Sequence, residues 1–412
     1  MKLLSGLEVI YTAAHGGFAK AAVPLGGGAA VYEQLLTEWA RSKPFPVHTI
    51  TPAILGSNAP TAADIVGFGE LAYARFSRAF GAATTAEILK HDPNKTAVLI
   101  NDVSEGPDFE TLAKAGFRLF TIYHVDVLNY VMAIYGKSFV SPLTAAALYA
   151  KIPKLLRPAM LQLVFDKQEA GVRHSRKLIL PSAGMADVML NTYPWLSREK
   201  CVPTPWGVNL SQFDEASVET EAHKLRGELD IPFGAKVLLT LSRISPEKGQ
   251  DTLLQALSEW NPPQETWLLI CGAPAFMMGR RFFEKLQHLS SRVKHVKVRF
   301  PGYVTGLRKQ AFFRLADLYV FPSRHESYGL TMVEAMAASL PIVCLDHLGA
   351  REVMRPEFGE MVTEPKMLDA IRKLLSNPAQ AKRCGDAGRL YAQQHSFQST
   401  AAQLAELIRT TT

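Results

Sequence analysis

Two α/β domains, each built on a doubly wound parallel sheet, are predicted by three observations. Beyond residue 235, short apolar strand-like runs alternate regularly with helix-like segments. The residues between 47 and 180 alternate in the same way, less cleanly. A stretch rich in Pro and Gly, Cys201-Val-Pro-Thr-Pro-Trp-Gly-Val-Asn-Leu-Ser-Gln-Phe213, lies between the two and reads as an interdomain linker. Strand–helix alternation implies parallel strands with crossover helices. A chain of 412 residues, 48% hydrophobic and 20% charged, is long enough to bury two cores.

The elements follow in order. In the first half the strand candidates are 47–50, 97–101, 118–123 and 177–180, and Gly26-Gly27-Gly28 is a turn that opens a helix from Ala29 to Ala40. Residues 5–25 form a long approach between a first strand and that helix. Residues 131–170 read as helical, mixing basic and apolar side chains. In the second half Val237 to Ser242 reads as a buried strand, 250–258 as a helix, Trp267 to Cys271 as a strand and 281–289 as a helix. Val296 to Phe300 is a further strand, 308–315 a helix and Leu318 to Phe321 a strand. A helix and the strand Pro341 to Leu345 come next, and Ala387 to Arg409 reads as a terminal helix. On such sheets ligands bind beyond the carboxyl ends of the strands.

Composition excludes several classes. The longest apolar runs are far short of a membrane span, and Glu8 interrupts the start too early for a signal peptide. Four scattered cysteines show no metal or redox spacing, which fits a reduced cytoplasmic setting. A net charge of +7 is mild for this length, and with no basic arm or nucleic-acid motif it argues against nucleic acid. Lys137, Lys151, Lys154 and Arg157 are interleaved with Leu155, Leu156, Met160 and Leu163. Such a surface rests weakly on anionic lipid at the inner face of a membrane, or packs on its own domain.

The segment Phe321-Pro-Ser-Arg-His-Glu326-Ser327-Tyr328-Gly329-Leu330-Thr331-Met-Val-Glu334 sets two carboxylates eight positions apart around a turn between strand and helix. A helix start presents unpaired N–H groups that suit phosphate, and carboxylates accept hydrogen bonds from sugar hydroxyls. An acid near a helix start is also simply what the helix dipole favours. Leu239-Thr-Leu-Ser-Arg243-Ile-Ser-Pro-Glu-Lys248-Gly249 puts two cations at a strand end, where they can face a diphosphate. At an effective dielectric of about 20, a unit-charge contact at about 4 Å is worth roughly 4 kcal/mol before desolvation. His124 ends an apolar strand, with Asp126 as a candidate partner, and a lone His in that place is often structural.

These motifs resemble family 4 of the retaining glycosyltransferases, nucleotide-sugar-dependent enzymes of the GT-B fold. The match covers nearly the whole chain in order, tightest at 239–249 and 321–337 and looser before residue 200. The resemblance implies two Rossmann-like domains facing across a cleft: 1–207 on the acceptor side, 208–386 binding the nucleotide sugar, and 387–412 crossing back to the first. It implies that Arg243 and Lys248 neutralise the departing diphosphate, that Glu334 binds ribose, and that Glu326 and His124 position the sugar. Gly272 in Ile270-Cys-Gly-Ala-Pro274 and Val304 after Phe300-Pro-Gly302-Tyr303 match the segments whose backbone approaches the nucleotide, the former only in part. Gly27 and Gly28 match the family's N-terminal glycine turn.

The expected activity is metal-independent transfer of a hexose from a nucleoside diphosphate sugar, UDP-glucose by preference, with retention. The expected acceptor is a saccharide or lipid-linked molecule of envelope or exopolysaccharide synthesis. No cofactor is expected beyond the nucleotide-sugar co-substrate, and no metal ligands are assigned because the cations can take that role. A nucleotide-sugar epimerase, an inverting transferase of the same fold and a non-catalytic nucleotide- or glycan-binding protein are the alternatives. A dinucleotide oxidoreductase fits poorly, because Gly26-Gly27-Gly28 is not Gly-x-Gly-x-x-Gly.

Overall fold

A computed structural model describes residues 6–18, 23, 25–125, 148, 149, 151–153 and 156–411. Within them the chain forms two compact units. The first takes in most of the described chain up to Pro205 and resumes at Gln398; the second runs from Trp206 to Phe397.

The first unit is a six-stranded sheet of β1 (Glu8–Thr12), β2 (Val47–Ile50), β3 (Thr96–Ile100), β4 (Arg118–Ile122), β5 (Lys177–Leu180) and β6 (Cys201–Pro203). Its order is β2-β1-β3-β4-β5-β6, and every pairing is parallel. The second unit holds β7 (Lys236–Leu241), β8 (Thr266–Cys271), β9 (Val296–Gly302), β10 (Leu318–Phe321), β11 (Ile342–Leu345) and β12 (Gly359–Val362). Its order is β12-β11-β10-β7-β8-β9, again all parallel. Strands covered on both faces read as continuous apolar runs. That is why β3, β4, β8, β10 and β11, buried at every position, are plain in the sequence. Each sheet carries its own core: Ile10, Val98, Leu119 and Phe80 in the first, Leu238, Ile270, Val320 and Val343 in the second.

The structure departs from the sequence reading in several places. The approach 5–25 contains β1, whose flanks are too short and mixed to mark it. The linker segment begins with the edge strand β6, and an edge strand needs no apolar run on both faces. The helix after the glycine turn starts at Gly27 rather than Ala29. The terminal helix is two helices, Pro378–Gln394 and Phe397–Thr410. Between them the backbone leaves the helix to pair with the linker: Val208 N donates to His395 O at 3.1 Å, and Phe397 N to Val208 O at 3.2 Å. Gly207 makes this approach feasible, since a Cβ there would lie 2.3 Å from the Ser396 carbonyl carbon. The last helix packs within the first unit, where Trp39 Nε1 donates to Ala401 O at 2.9 Å.

Asp126, Lys137, Lys154 and Leu155 lie outside the described residues. Of the basic amphipathic stretch, Leu156 is exposed while Leu163 is buried. Arg157 pairs with Asp166 at 2.7 Å.

Candidate functional site

In the second sheet the strand order reverses between β7 and β10. The crevice beyond the carboxyl ends at such a reversal is where doubly wound sheets bind ligands. Arg243 and Lys248 follow β7, and Glu326 follows β10, so the topology itself brings these residues to one place. The turn after β7 is tight. Gly249 has φ +65°, and a Cβ there would lie 1.9 Å from Pro322 O, so no other residue lets the turn meet the exit of β10. Arg324 staples the two segments: its N donates to Glu247 O and its Nη1 to Pro246 O, each at 2.9 Å. Gln250 Nε2 donates to Arg243 O at 2.8 Å and closes the turn.

The charges in this crevice are paired. Lys248 Nζ is bonded to Glu326 Oε1, and both side chains are largely buried. Burial alone would raise the Glu326 pKa, but the Lys248 charge and hydrogen bond outweigh it and hold the carboxyl below its ordinary range. Glu247 behaves alike: burial acts upward, and Lys248 and Arg243 bring it down. Arg243 Nη2 stands 3.8 Å from Glu247 Oε1. Glu334 is joined by Lys309 at 2.5 Å, a partner 25 residues away that sequence reasoning missed. Nothing local marks Lys309, a half-buried lysine of the helix Gly306–Leu315, as that partner.

The helix Leu330–Ala337 opens on Gly329, which brings no side chain to cap its first N–H groups. Thr331 Oγ1 accepts from Tyr319 Oη at 2.7 Å, fixing the helix to β10. The Tyr328 side chain is buried, whereas Ser327 and Leu330 are half-buried. Gly272 follows β8, its N donating to Gly302 O at 2.8 Å, and Val304 is buried just beyond β9. Those segments line the same carboxyl edge.

His124, Gly27 and Gly28 belong to the first unit, whose strand order reverses between β1 and β3. Gly27 is exposed at the helix start. Gly28 lies against His124: a Cβ there would come within 3.0 Å of the ring. Asn101 links the two, donating to Gly28 O at 3.2 Å and meeting His124 Nε2 at 3.3 Å. Burial pushes His124 down to about 4, against the opposing charge of Asp102. The ring is therefore neutral at neutral pH.

Beside it sits a polar cluster that the sequence did not reveal. His15 Nδ1 meets Asp102 Oδ1 at 3.1 Å, and Tyr73 Oη bridges His15 Nε2 and Glu105. Burial raises Glu105, whereas for Asp102 the His15 charge and hydrogen bond outweigh burial and hold it at about 2. One ligating atom from each of His15, Asp102 and Glu105 lies within 4.8 Å of the others, so these three could hold a metal ion. Loop residues separated by nearly ninety positions carry no local signal of such a cluster.

The buried histidines predict an acid-sensitive stability. Burial takes His347 in the second unit to about 4, as it does His124, against an ordinary value of 6.5. Below about pH 6.5 the unfolded chain binds protons that the folded chain refuses, so stability falls as pH drops toward 4. The cost is up to about 1.4 kcal/mol per pH unit for each histidine. Denaturant unfolding between pH 7 and 4.5 should show a shallower fall for His347→Asn than for the unsubstituted protein. Parallel curves would show that His347 does not titrate this way.

Comparison with known proteins agrees with the geometry. Residues 222–391 match the family model described as glycosyl transferases group 1. A D-inositol 3-phosphate glycosyltransferase of Corynebacterium urealyticum is 31% identical over 220 residues, 50% of each chain. An alpha-monoglucosyldiacylglycerol synthase of Streptococcus pneumoniae is 28% identical over 192 residues, 46% of this chain and 41% of the relative. The chain thus spans about half the length of the curated relatives it matches. Among solved structures, Anabaena Alr3699/HepE in complex with UDP and glucose superposes with a TM-score of 0.67 at 16% identity, over 98% of this chain and 100% of that one. The architecture is the two-domain α/β GT-B fold.

Proposed function

We propose that this protein is a glycosyltransferase that moves a hexose from a nucleoside diphosphate sugar to a saccharide or lipid-linked acceptor, with retention and without a metal. One observation carries the reading: Arg243, Lys248 and Glu326 converge at the β7/β10 reversal beside a glycine-opened helix that also bears Glu334. The match over 222–391 supports it. UDP-glucose is the donor of choice, in keeping with the UDP and glucose named for the Anabaena structure.

In this reading Lys248 and Arg243 take the charge that gathers on the departing diphosphate, assisted by the N–H groups near Gly329 to Thr331. Lys309 releases Glu334 to the ribose hydroxyls. Glu326 holds the sugar. The bond from the anomeric carbon to the phosphate oxygen breaks, and the acceptor oxygen joins that carbon from the same face. Its proton passes to the departing phosphate. Such a reaction needs stabilisation of the leaving group and orientation more than a covalent nucleophile.

The test is release of free nucleoside diphosphate from a panel of nucleotide sugars, with and without crude envelope glycolipid as acceptor. Acceptor-dependent release is expected, and proton NMR of the product from an α-linked donor should show an α linkage. A β product would overturn retention. Conversion of the nucleotide sugar with no acceptor present would point to an epimerase.

A further inference from the structure

His347 is a buried titratable group that the reaction above does not use. It precedes the helix Leu348–Val353 and caps it, Nδ1 accepting from Ala350 N at 3.1 Å. An Nδ1 that accepts carries no proton, so in the neutral ring the proton is on Nε2. That Nε2 is buried and meets no hydrogen-bond partner among the described residues, in a side chain only 6% exposed. A buried donor left unbonded is costly. Its surroundings show what it serves. The ring packs against Phe321 at the end of β10, with centroids 5.6 Å apart. Gly349 N, two residues on, donates to the Glu326 backbone O at 2.9 Å. Of the charged groups around His347, Glu326 acts on it most strongly, ahead of Lys248, His325 and Asp346.

The proposed reaction creates a need that this donor meets. Lys248 is bonded to Glu326, and when it turns to the diphosphate the buried carboxylate loses its strongest donor and keeps only the long Ser323 Oγ contact at 3.4 Å and the more distant Arg243 charge. We propose that His347 is a positioning residue: when Lys248 moves to the donor's diphosphate, the His347 Nε2–H donates to the Glu326 carboxylate and holds it against the sugar. This rests on the roles given to Lys248 and Glu326 above. It explains why a histidine, rather than an ordinary Ser or Asp cap, stands at this helix start.

Two substitutions separate the ring nitrogens. His347→Asn keeps an acceptor near Nδ1 for Ala350 N and removes the donor at Nε2. His347→Gln sets an amide N–H near Nε2 and gives up the cap. His347→Asn should lower kcat roughly 10- to 100-fold, the worth of one hydrogen bond to a charged group, with donor KM little changed. His347→Gln should recover most of kcat although it melts at a lower temperature. The reverse ranking would reduce His347 to a helix cap and overturn the proposal.

A second measurement needs no sugar transfer. With ring-15N histidine, the His347 Nε2–H resonance should move downfield when UDP is added. It should move likewise without UDP in Lys248→Ala, and should return in Lys248→Ala/Glu326→Gln. No movement in Lys248→Ala, or the same movement in the double variant, would overturn the proposal even if transfer is confirmed. The expected movement in a protein that transfers no sugar would instead preserve the His347–Glu326 link and reject the reaction.

Discussion

Lys248→Ala is expected to damage binding, turnover and stability together. The substitution strips a buried carboxylate of its cation, and breaking such a pair costs about 3–5 kcal/mol when the partner stays charged. Protonation of Glu326 and the His347 N–H would recover part of that, so a loss of about 3 kcal/mol in denaturant unfolding is the expected result. Adding Glu326→Gln should restore most of the stability, because it removes the orphaned charge. It should not restore function. Calorimetric titration should show UDP affinity reduced roughly 10- to 100-fold, the worth of a charge-assisted hydrogen bond to phosphate. Arg243→Ala should weaken nucleotide binding in the same direction with less loss of stability, since Arg243 is at 3.8 Å from Glu247 and only partly buried. Unchanged UDP affinity with normal turnover in either variant would remove the diphosphate from this crevice.

The two glutamates are expected to separate in kinetics. Glu326→Gln should lower kcat on the order of 100-fold, about 2.7 kcal/mol of transition-state stabilisation, while UDP affinity stays near its original value. Orientation of the sugar matters most as its bond breaks, and free UDP has no sugar to orient. Glu334→Ala should do the opposite. Ribose is held throughout the cycle, so losing its charged acceptor should weaken UDP roughly 10- to 100-fold. Little stability should be lost, because Lys309 is exposed enough to be solvated once its partner is gone. Comparable loss of UDP affinity in both variants would contradict this division.

Local sequence determined a good deal. The strands β7, β8, β10 and β11 follow from apolar runs because strands covered on both faces leave no other pattern, and the edge strand β9 shows instead as Val296, Val298 and Phe300 alternating with the exposed Lys297 and Arg299. Arg243, Lys248, Glu326 and Glu334 are legible because each lies within a strand–turn–helix segment whose chemistry is set by a few consecutive residues. The strands β1 and β6 are not legible in this way. One is hidden in a mixed stretch, and the other is three residues on a sheet edge.

Only the tertiary structure decided who neutralises whom. Strand order sets β7 beside β10, and that alone brings Lys248 to Glu326 across 78 residues. Packing of the helix Gly306–Leu315 beside β10 delivers Lys309 to Glu334. The turn after β11 places His347 against Phe321, with its Nε2 meeting no partner among the described residues, and brings Gly349 N to the Glu326 backbone O. In the first unit the loops after β1 and β3 bring His15 to Asp102. The physical reason is common to all four. Propensity and periodicity act over a few residues, whereas a buried charge is balanced by whichever partner the sheet topology sets beside it.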